Sequence, residues 1–221
     1  MNRKSLLFQA LWRRLKTEID ILVLRNYERF PDDLGNDIDC LVPAESRANV
    51  LQICSEVSQQ VNFSILKIEK PNISLMTVFF IDNCHSGDPL KLDFFSDLTK
   101  GWISFARSED VLNKKTEYGE YYVPDLTHEA YLLLMKELFM YGRIRTRYIE
   151  RFSIRYRDID FEKVYALSSG LISKSSVKYI KDNYQSICQL RLHPKPTLRN
   201  IYRPIKIIHW LVHRVRFLLK Q

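Results

Sequence analysis

An apolar run interrupted by two carboxylates limits the folds open to this chain more than any other segment. The run is LGNDIDCLV, residues 34–42, in which Asp37 and Asp39 alternate with hydrophobic residues after a Gly-Asn pair. Successive side chains of a β-strand leave opposite faces, so both acids must point to the same side of a sheet. The pattern is compatible with a solvent-exposed sheet edge or with one half of a metal site.

A third acid, Asp93, has similar surroundings. It lies in LKLDFF, residues 90–95, where Leu92 and Phe94 take the opposite face of the strand. If this strand neighbours the one that carries Asp37 and Asp39, three carboxylates converge, and their mutual repulsion calls for a divalent cation. Oxygen ligands on strands suit Mg²⁺. We therefore predict that these three acids bind Mg²⁺, with two ions expected in a phosphoryl-transfer site.

Apolar periodicity and turn residues predict the elements around these strands. Helices are expected at residues 5–16 and 44–61, and strands at residues 19–24, 37–42, 63–70, 74–82 and 90–95, with short edge strands at 101–106 and 119–123. A chain of 221 residues with 46% apolar residues forms one large domain or two small ones. The fold class predicted for residues 1–124 is α+β.

The character of the chain changes at Pro124. Residues 125–221 are predicted to be mainly helical, beginning with a helix of about four turns that has Thr127 as its N-cap. The charge changes at the same place, because residues 1–125 carry a net −4 and residues 126–221 a net +12. The two halves therefore bind different partners, or share one that is both metal-bound and anionic.

The segment from residue 18 to residue 98 resembles the nucleotidyltransferase superfamily, the fold of DNA polymerase β and the antibiotic nucleotidyltransferases. The superfamily motif is an apolar strand ending in Gly-Ser, then Asp-h-Asp-h, where h is apolar, and a third Asp on a later strand. Asp37-Ile38-Asp39-Cys40 matches the second part and Asp93 the third. Arg25-Asn26 stands in the Gly-Ser position, with Asn26 eleven positions before Asp37. The segment LRNYERFPDDLGNDIDCLV is also similar to a subgroup from bacterial surface-polysaccharide gene clusters.

The resemblance implies a nucleotidyltransferase-type mixed sheet with flanking helices, followed by a helical domain. It implies transfer of a nucleoside monophosphate from a nucleoside triphosphate to a hydroxyl, with a sugar or glycan intermediate as the expected acceptor. Asp93 would be a metal ligand and the base for that hydroxyl. The residues implied on the phosphate side are Arg25, Asn26, Gly35 and Asn36. A non-catalytic scaffold of the same fold at the membrane, and a toxin-like enzyme that modifies RNA or protein, remain alternatives.

The segment YGRIRTRYIERFSIRYR, residues 141–157, contains six arginines and one acid. Arg143, Arg147 and Arg151 stand four apart and predict a basic stripe on one helix face. Together with Lys136, Arg143 and Arg147 are candidate ligands for a triphosphate or an anionic acceptor. A solvated helix face with aromatic residues packed beneath it explains the pattern equally well. Nucleic acid is not an expected partner, because no recognised RNA-binding module accompanies the arginines.

Residues 201–220 predict a basic amphipathic helix without any acid. Such a helix suits the interface of an anionic membrane, or it docks on the helical domain. No segment has the roughly 18 uninterrupted apolar residues of a membrane span, and residues 5–16 are interpreted as a helix rather than a signal peptide. The expected location is the cytoplasm, with peripheral contact at the inner face of the membrane.

Overall fold

The computed structural model describes residues 2–100 and 103–182. Contacts divide the chain into two units, of which the first comprises Met1–Leu98 and Arg107–Pro124. The second comprises Thr99–Ala106 and the residues from Asp125 onwards. The predicted amphipathic helix at residues 201–220 lies outside the described residues. In the part that is described, no helix is both long enough and apolar enough to cross a membrane.

The described residues up to 124 form three α-helices and nine strands. The helices are α1 (Arg3–Glu18), α2 (Arg47–Gln60) and α3 (Ser108–Leu112), with 3-10 turns at Tyr27–Arg29 and Ala44–Ser46. The strands are β1 (Leu22–Val23), β2 (Ile38–Leu41), β3 (Phe63–Asn72), β4 (Leu75–Asp82), β5 (Leu90–Phe95), β6 (Asp97–Lys100), β7 (Ile103–Arg107), β8 (Lys115–Tyr118) and β9 (Tyr121–Pro124).

Five of these strands form one mixed sheet in the order β1-β2-β5-β4-β3. Strands β2 and β5 are parallel, whereas the other neighbouring pairs are antiparallel. The predicted α+β class with a mixed sheet is therefore confirmed. The short strands expected at the sheet edge are instead paired elsewhere, because β6 pairs with β7 and β8 pairs with β9 in separate two-stranded sheets.

The main sheet has one apolar face that belongs to the core. Helices α1 and α2 contribute Leu11, Trp12 and Val50 to this core. The sheet contributes alternate residues of its central strands: Ile38, Cys40, Met76, Val78, Phe80, Leu92 and Phe94. Since fully burying one such side chain stabilises the fold by about 1.5–3 kcal/mol, this pattern fixes the strand register. The intervening residues of the same strands must then lie on the other face.

Helix α1 has defined contacts at its N-terminus. The side chain of Asn2 accepts a hydrogen bond from the backbone N–H of Lys4 at 3.1 Å and caps the helix. Next to it, the guanidinium of Arg3 donates to both carboxylate oxygens of Asp82 and to the carbonyl of Val61. The hydrogen bond from Arg3 lowers the pKa of Asp82 to about 2. These contacts tie α1 to the end of β4.

Strand β1 is shorter than predicted, because only Leu22–Val23 of residues 19–24 pair with β2. At the start of this segment, the N–H of Ile19 still donates to Leu15 and closes α1. Beyond its end, Asn26 has a left-handed backbone with φ of 61° and begins the 3-10 turn. The predicted strand is thus shortened at its start by the end of α1, while the N–H of Leu24 still donates to the carbonyl of Asp39 at 2.8 Å.

Among the described residues of the second unit, residues 125–182 are mainly helical, whereas residues 99–100 and 103–106 belong to strands β6 and β7. Its helices are α4 (Leu126–Tyr141), α5 (Phe161–Leu167) and α6 (Lys174–Asp182), with a 3-10 turn at Thr146–Tyr148 and a π-helical turn at Arg151–Arg155. The sequence predicted Thr127 as the N-cap of α4, but the structure has Asp125 in that position. The carboxylate of Asp125 accepts the N–H of His128 at 2.9 Å and also contacts its ring nitrogen Nδ1 at 2.8 Å.

The predicted stripe of Arg143, Arg147 and Arg151 on one helix face is wrong. Helix α4 ends at Tyr141, because Gly142 adopts the left-handed conformation with φ of 64° and its N–H donates to Leu138. Arg143 follows this cap, Arg147 lies in the 3-10 turn and Arg151 begins the π-helical turn. The three arginines are four residues apart in sequence, but they do not lie on one helix and so do not share a helix face.

Candidate functional site

Three carboxylates meet on the face of the main sheet that does not belong to the core. Asp39 and Asp93 are directly opposite each other in the parallel pair of β2 and β5. Asp37 immediately precedes β2 and lies on the same side of the strand, and one oxygen from each acid lies within 4.8 Å of the others. The prediction that the two strands are neighbours and that the three acids converge is confirmed.

Burial makes this convergence costly without positive charge nearby. The exposed fractions of Asp39 and Asp93 are only 6% and 5%, while Asp37 is partly exposed. Removing a carboxylate from water is strongly unfavourable unless it is paired and hydrogen-bonded. A chance acid at a solvent edge would not be buried in this way, so the face is a specific polar site.

Asp93 is held by two side chains on the same sheet. Thr77 lies opposite Asp93 on β4, and its buried hydroxyl donates to Oδ1 of Asp93 at 2.5 Å. Lys91, two residues earlier on β5, donates from Nζ to Oδ2 at 2.7 Å. The two oxygens of Asp93 therefore have different partners, and Oδ2 is the one that faces a cation.

Lys91 also reaches the other end of the cluster. Its Nζ is 3.7 Å from Oδ2 of Asp37, so the ammonium group lies near two of the three carboxylates. Burial acts to lower the pKa of Lys91, but the hydrogen bond to Asp93 and the charges of the three aspartates raise it above its ordinary value. Lys91 is consequently a charged ammonium at neutral pH.

The third acid is paired with Arg25. The Nε of Arg25 donates to Oδ2 of Asp39, and the guanidinium is largely shielded from water. Arg25 lies two residues after the end of β1 and precedes the left-handed residue Asn26, which turns the chain away at that point. Arg25 and Lys91 are two cationic side chains beside three carboxylates, so the formal charges of these five side chains sum to −1.

The other two loop residues predicted on the phosphate side, Gly35 and Asn36, are exposed and lie immediately before Asp37. Gly35 has φ of 65°, and its N–H donates to Oδ1 of Asp33 at 2.9 Å. Glycine suits this left-handed conformation because other residues are strained there. The loop brings open backbone next to the partly exposed acid of the cluster.

The donor set can hold a metal ion. Three carboxylates on or beside rigid strands offer oxygen ligands, and the residual negative charge favours a cation. Oxygen-only donors fit hard divalent ions such as Mg²⁺, Mn²⁺ or Ca²⁺ rather than soft ones. Cys40 belongs to the opposite, core-facing side of β2, where burial raises the pKa of its thiol well above the ordinary value.

The basic residues predicted to bind phosphate all belong to the second unit. Lys136 is half-buried on α4, and Arg143 is exposed just after that helix. Arg147 is exposed in the 3-10 turn, with its guanidinium 5.1 Å from the centre of the Tyr148 ring. These residues lie on different elements, so within their unit they do not form the continuous basic helix face that was expected.

Sequence reasoning missed two buried acids in the second unit. Glu137 is fully buried and accepts two hydrogen bonds from the guanidinium of Arg145, at 2.6 and 2.8 Å, and one from its backbone N–H. Glu129 accepts from Arg155 and from the buried hydroxyl of Tyr156. Both acids lie on α4, outside the arginine-rich segment, so a charge count within residues 141–157 does not detect them.

Thr77 and Lys91 are functional candidates that the motif did not indicate. Both lie on the carboxylate side of the sheet. Thr77 is directly opposite Asp93 on the neighbouring strand, and Lys91 is two residues before Asp93 on the same strand. The sequence contained a signal for both. Thr77 is the hydroxyl-bearing residue of the apolar strand β4, and Lys91 stands two residues before Asp93, on the same face of β5. Reading the register of β4 against β5 was needed to use that signal.

No protein-family model, curated protein or solved structure was found to match this chain. The geometry of the carboxylate cluster is therefore the basis for assigning a function.

Proposed function

We propose that this chain is a metal-dependent nucleotidyltransferase that moves a nucleoside monophosphate from a nucleoside triphosphate to a hydroxyl acceptor. The observation that supports the proposal is the set of three carboxylates, from Asp37, Asp39 and Asp93, within 4.8 Å of one another. Two of them, Asp39 and Asp93, are buried on adjacent parallel strands. The resemblance to the superfamily implies that the three acids bind metal together. Phosphoryl transfer needs such a site to concentrate positive charge around the phosphates.

In the proposed reaction the oxygen of the acceptor hydroxyl attacks the α-phosphorus of the nucleoside triphosphate. The bond from that phosphorus to the oxygen bridging the β-phosphorus breaks, and its electron pair leaves with pyrophosphate. Oδ2 of Asp93 accepts the proton of the attacking hydroxyl, while Thr77 holds Oδ1 and keeps the carboxylate oriented. Asp37, Asp39 and Asp93 would hold the Mg²⁺, which would neutralise charge on the phosphates and lower the pKa of the attacking hydroxyl.

The same proposal assigns the phosphate side to Arg25, Asn26, Gly35 and Asn36. The loop at Gly35 offers exposed backbone beside Asp37, and Arg25 can form charge-assisted hydrogen bonds with phosphate oxygens. Lys136, Arg143 and Arg147 are assigned to an anionic substrate or acceptor. A sugar or glycan intermediate of bacterial surface-polysaccharide synthesis is the proposed acceptor, with residues 201–220 as the proposed membrane contact.

The proposal is tested by thermal melting and turnover of the full chain. We expect Mg²⁺ together with one of ATP, GTP, CTP or UTP to raise the melting temperature, because only the folded site binds the nucleotide. Asp37→Asn and Asp93→Asn should abolish this shift. In the presence of sugar acceptors, Asp93→Asn should also lower pyrophosphate release by about 100-fold or more.

Asp88→Asn is the matched control, because Asp88 is an exposed acid between β4 and β5 and is not a member of the cluster. It should behave as the unmodified chain in both measurements. Turnover that survives in Asp93→Asn would contradict the proposed mechanism. A chain that no nucleoside triphosphate protects would contradict nucleotide transfer altogether.

One observation favours a second candidate, a non-catalytic scaffold of the same fold. Arg25 and Lys91 already form ion pairs with Asp39 and Asp93, so two protein cations stand where a catalytic site uses metal ions. A scaffold predicts no protection by any of the four nucleotides and no loss of stability on chelation. The melting experiment therefore separates the two candidates.

A further inference from the structure

Lys91 occupies the space between two of the proposed metal ligands. Its Nζ donates to Asp93 at 2.7 Å and lies 3.7 Å from Asp37, on the side of the sheet where the three carboxylate oxygens meet. An ion coordinated by these carboxylates would lie about 2.1 Å from each ligand oxygen. The ammonium and the ion would then lie beside the same two carboxylates and would repel each other at short range.

The side chain of Lys91 is able to leave this position. A third of it, 33%, is exposed to solvent, whereas the side chain of Asp93 is only 7% exposed. The four-carbon stem of a lysine is flexible, so its ammonium can reach water while the stem stays against the sheet. Asp93 is held by Thr77 and by its central strand and must stay in place. Lysine is therefore the mobile partner of the pair.

Arg25 differs from Lys91 in this respect. It forms an ion pair with Asp39, whereas the ammonium of Lys91 lies near both Asp37 and Asp93. The bridging position between Asp37 and Asp93 belongs to Lys91 among the described residues. The side chain that would compete with the metal is thus Lys91, and it can be replaced without changing Arg25.

We propose that Lys91 is a built-in counter-ion that competes with the divalent cation for Asp37 and Asp93 and is displaced when the cation binds. This inference rests on the proposed use of these carboxylates as metal ligands. Lys91 stabilises the metal-free site and weakens its affinity for the metal. The chain can then stay folded without metal, and it binds the metal at a higher concentration than it would without Lys91.

The first test measures the chemical reactivity of the lysine amines in the unmodified full chain. Acetic anhydride is applied briefly with and without Mn²⁺, and acetylation is read for each lysine by mass spectrometry. We expect Mn²⁺ to increase acetylation of Lys91 several-fold and to leave the exposed Lys114 unchanged. Equal or reduced labelling of Lys91 in the presence of bound Mn²⁺ would overturn displacement.

The second test compares the affinity of variants for Mn²⁺, with free Mn²⁺ measured by electron paramagnetic resonance. Lys91→Met should lower the Kd about tenfold, because the competitor and one repelling charge are removed. Lys114→Met is the matched control and should keep the Kd of the unmodified chain. Lys91→Arg keeps the charge and should bind Mn²⁺ no more tightly than the unmodified chain.

Melting temperatures distinguish competition from a purely structural role. Without metal, Lys91→Met should melt below the unmodified chain, because Asp93 loses its ion pair, and it should gain more from added Mn²⁺. A variant that is equally destabilised with and without Mn²⁺, and whose Kd is unchanged or higher, would overturn the inference alone. Failure of the unmodified chain to bind Mn²⁺ at all would overturn both this inference and the proposed function.

Discussion

The hydroxyl of Thr77 determines how Asp93 presents its two oxygens. It donates to Oδ1 from the neighbouring strand, in an environment from which water is excluded. Because Oδ1 is satisfied in this way, Oδ2 is the oxygen left to meet Lys91 and the other acids. The uncharged side chain of Thr77 thereby orients the carboxylate of Asp93, which lies beside Lys91, Asp37 and Asp39.

Replacing Thr77 by valine should therefore destabilise the fold. Valine has nearly the same shape but no donor, so a buried carboxylate oxygen is left unsatisfied, which costs about 1–3 kcal/mol. The free energy of unfolding, measured with urea, should fall by this amount. Thr77→Ser retains the hydroxyl and should lose clearly less. If the valine variant proved as stable as the serine variant, the hydrogen bond to Asp93 would have no energetic role.

At this scale the sequence predicted the acids better than their partners. Asp37, Asp39 and Asp93 carry a pattern that survives without the structure, because alternation within a strand places a side chain on a known face. The ion pairs of Arg25 and Lys91 depend on rotamers and on which strands are neighbours. The alternation of Lys91 with Asp93 predicts that both side chains lie on the same face of the strand, but it does not predict the ion pair between them.

Helix α4 and the chain that follows it illustrate how an element is anchored. Glu137 on the helix binds the guanidinium and the backbone N–H of Arg145, which lies beyond the helix end at Gly142. The two partners are eight positions apart in the chain, so the pair closes the turn after α4. This contact, rather than helical continuity, positions the beginning of the arginine-rich segment.

Glu137→Gln should loosen that turn. The loss of a buried charge-assisted pair costs about 2 kcal/mol, and the cost falls on the segment that Arg145 anchors. Limited digestion with trypsin should cut more quickly after Arg143 and Arg147, as read by mass spectrometry. Glu150→Gln, a change of an exposed acid in the same segment, is the control and should leave both rates unaltered. Equal cleavage of the two variants would argue against the anchor.

The elements were predicted with different success for physical reasons. Helices α1 and α2 and the strands β2 to β5 carry periodic apolar residues, and the structure forms each of them to within two residues of the expected bounds or with shorter ends. Strand β8 was not predicted, since its residues KTEY are mostly polar and exposed and it forms by pairing with β9. The stripe of arginines failed because a glycine cap ends the helix before it.

For the molecule as a whole, the positive charge of residues 126–221 is less available for anion binding than its net value suggests. Residues 126–221 carry a net +12. Yet three of the six arginines in residues 141–157 face buried glutamates of the same unit, namely Arg145, Arg151 and Arg155. Such arginines support the fold, and they contribute less to an anion-binding surface than a count of charges implies. The charge pattern alone could not distinguish these roles, because it does not show which acids are buried.

The parallel pairing of β2 with β5 also has a consequence for the order of folding. Asp39 and Asp93 are 54 positions apart in the chain and meet only after a long crossover through α2, β3 and β4 has closed. Contacts of such high sequence separation form slowly, because loop closure must precede them. We expect added Mn²⁺ to slow unfolding in stopped-flow experiments and to leave the refolding rate unchanged. Faster refolding would mean that the cation templates the crossover instead of locking a finished chain.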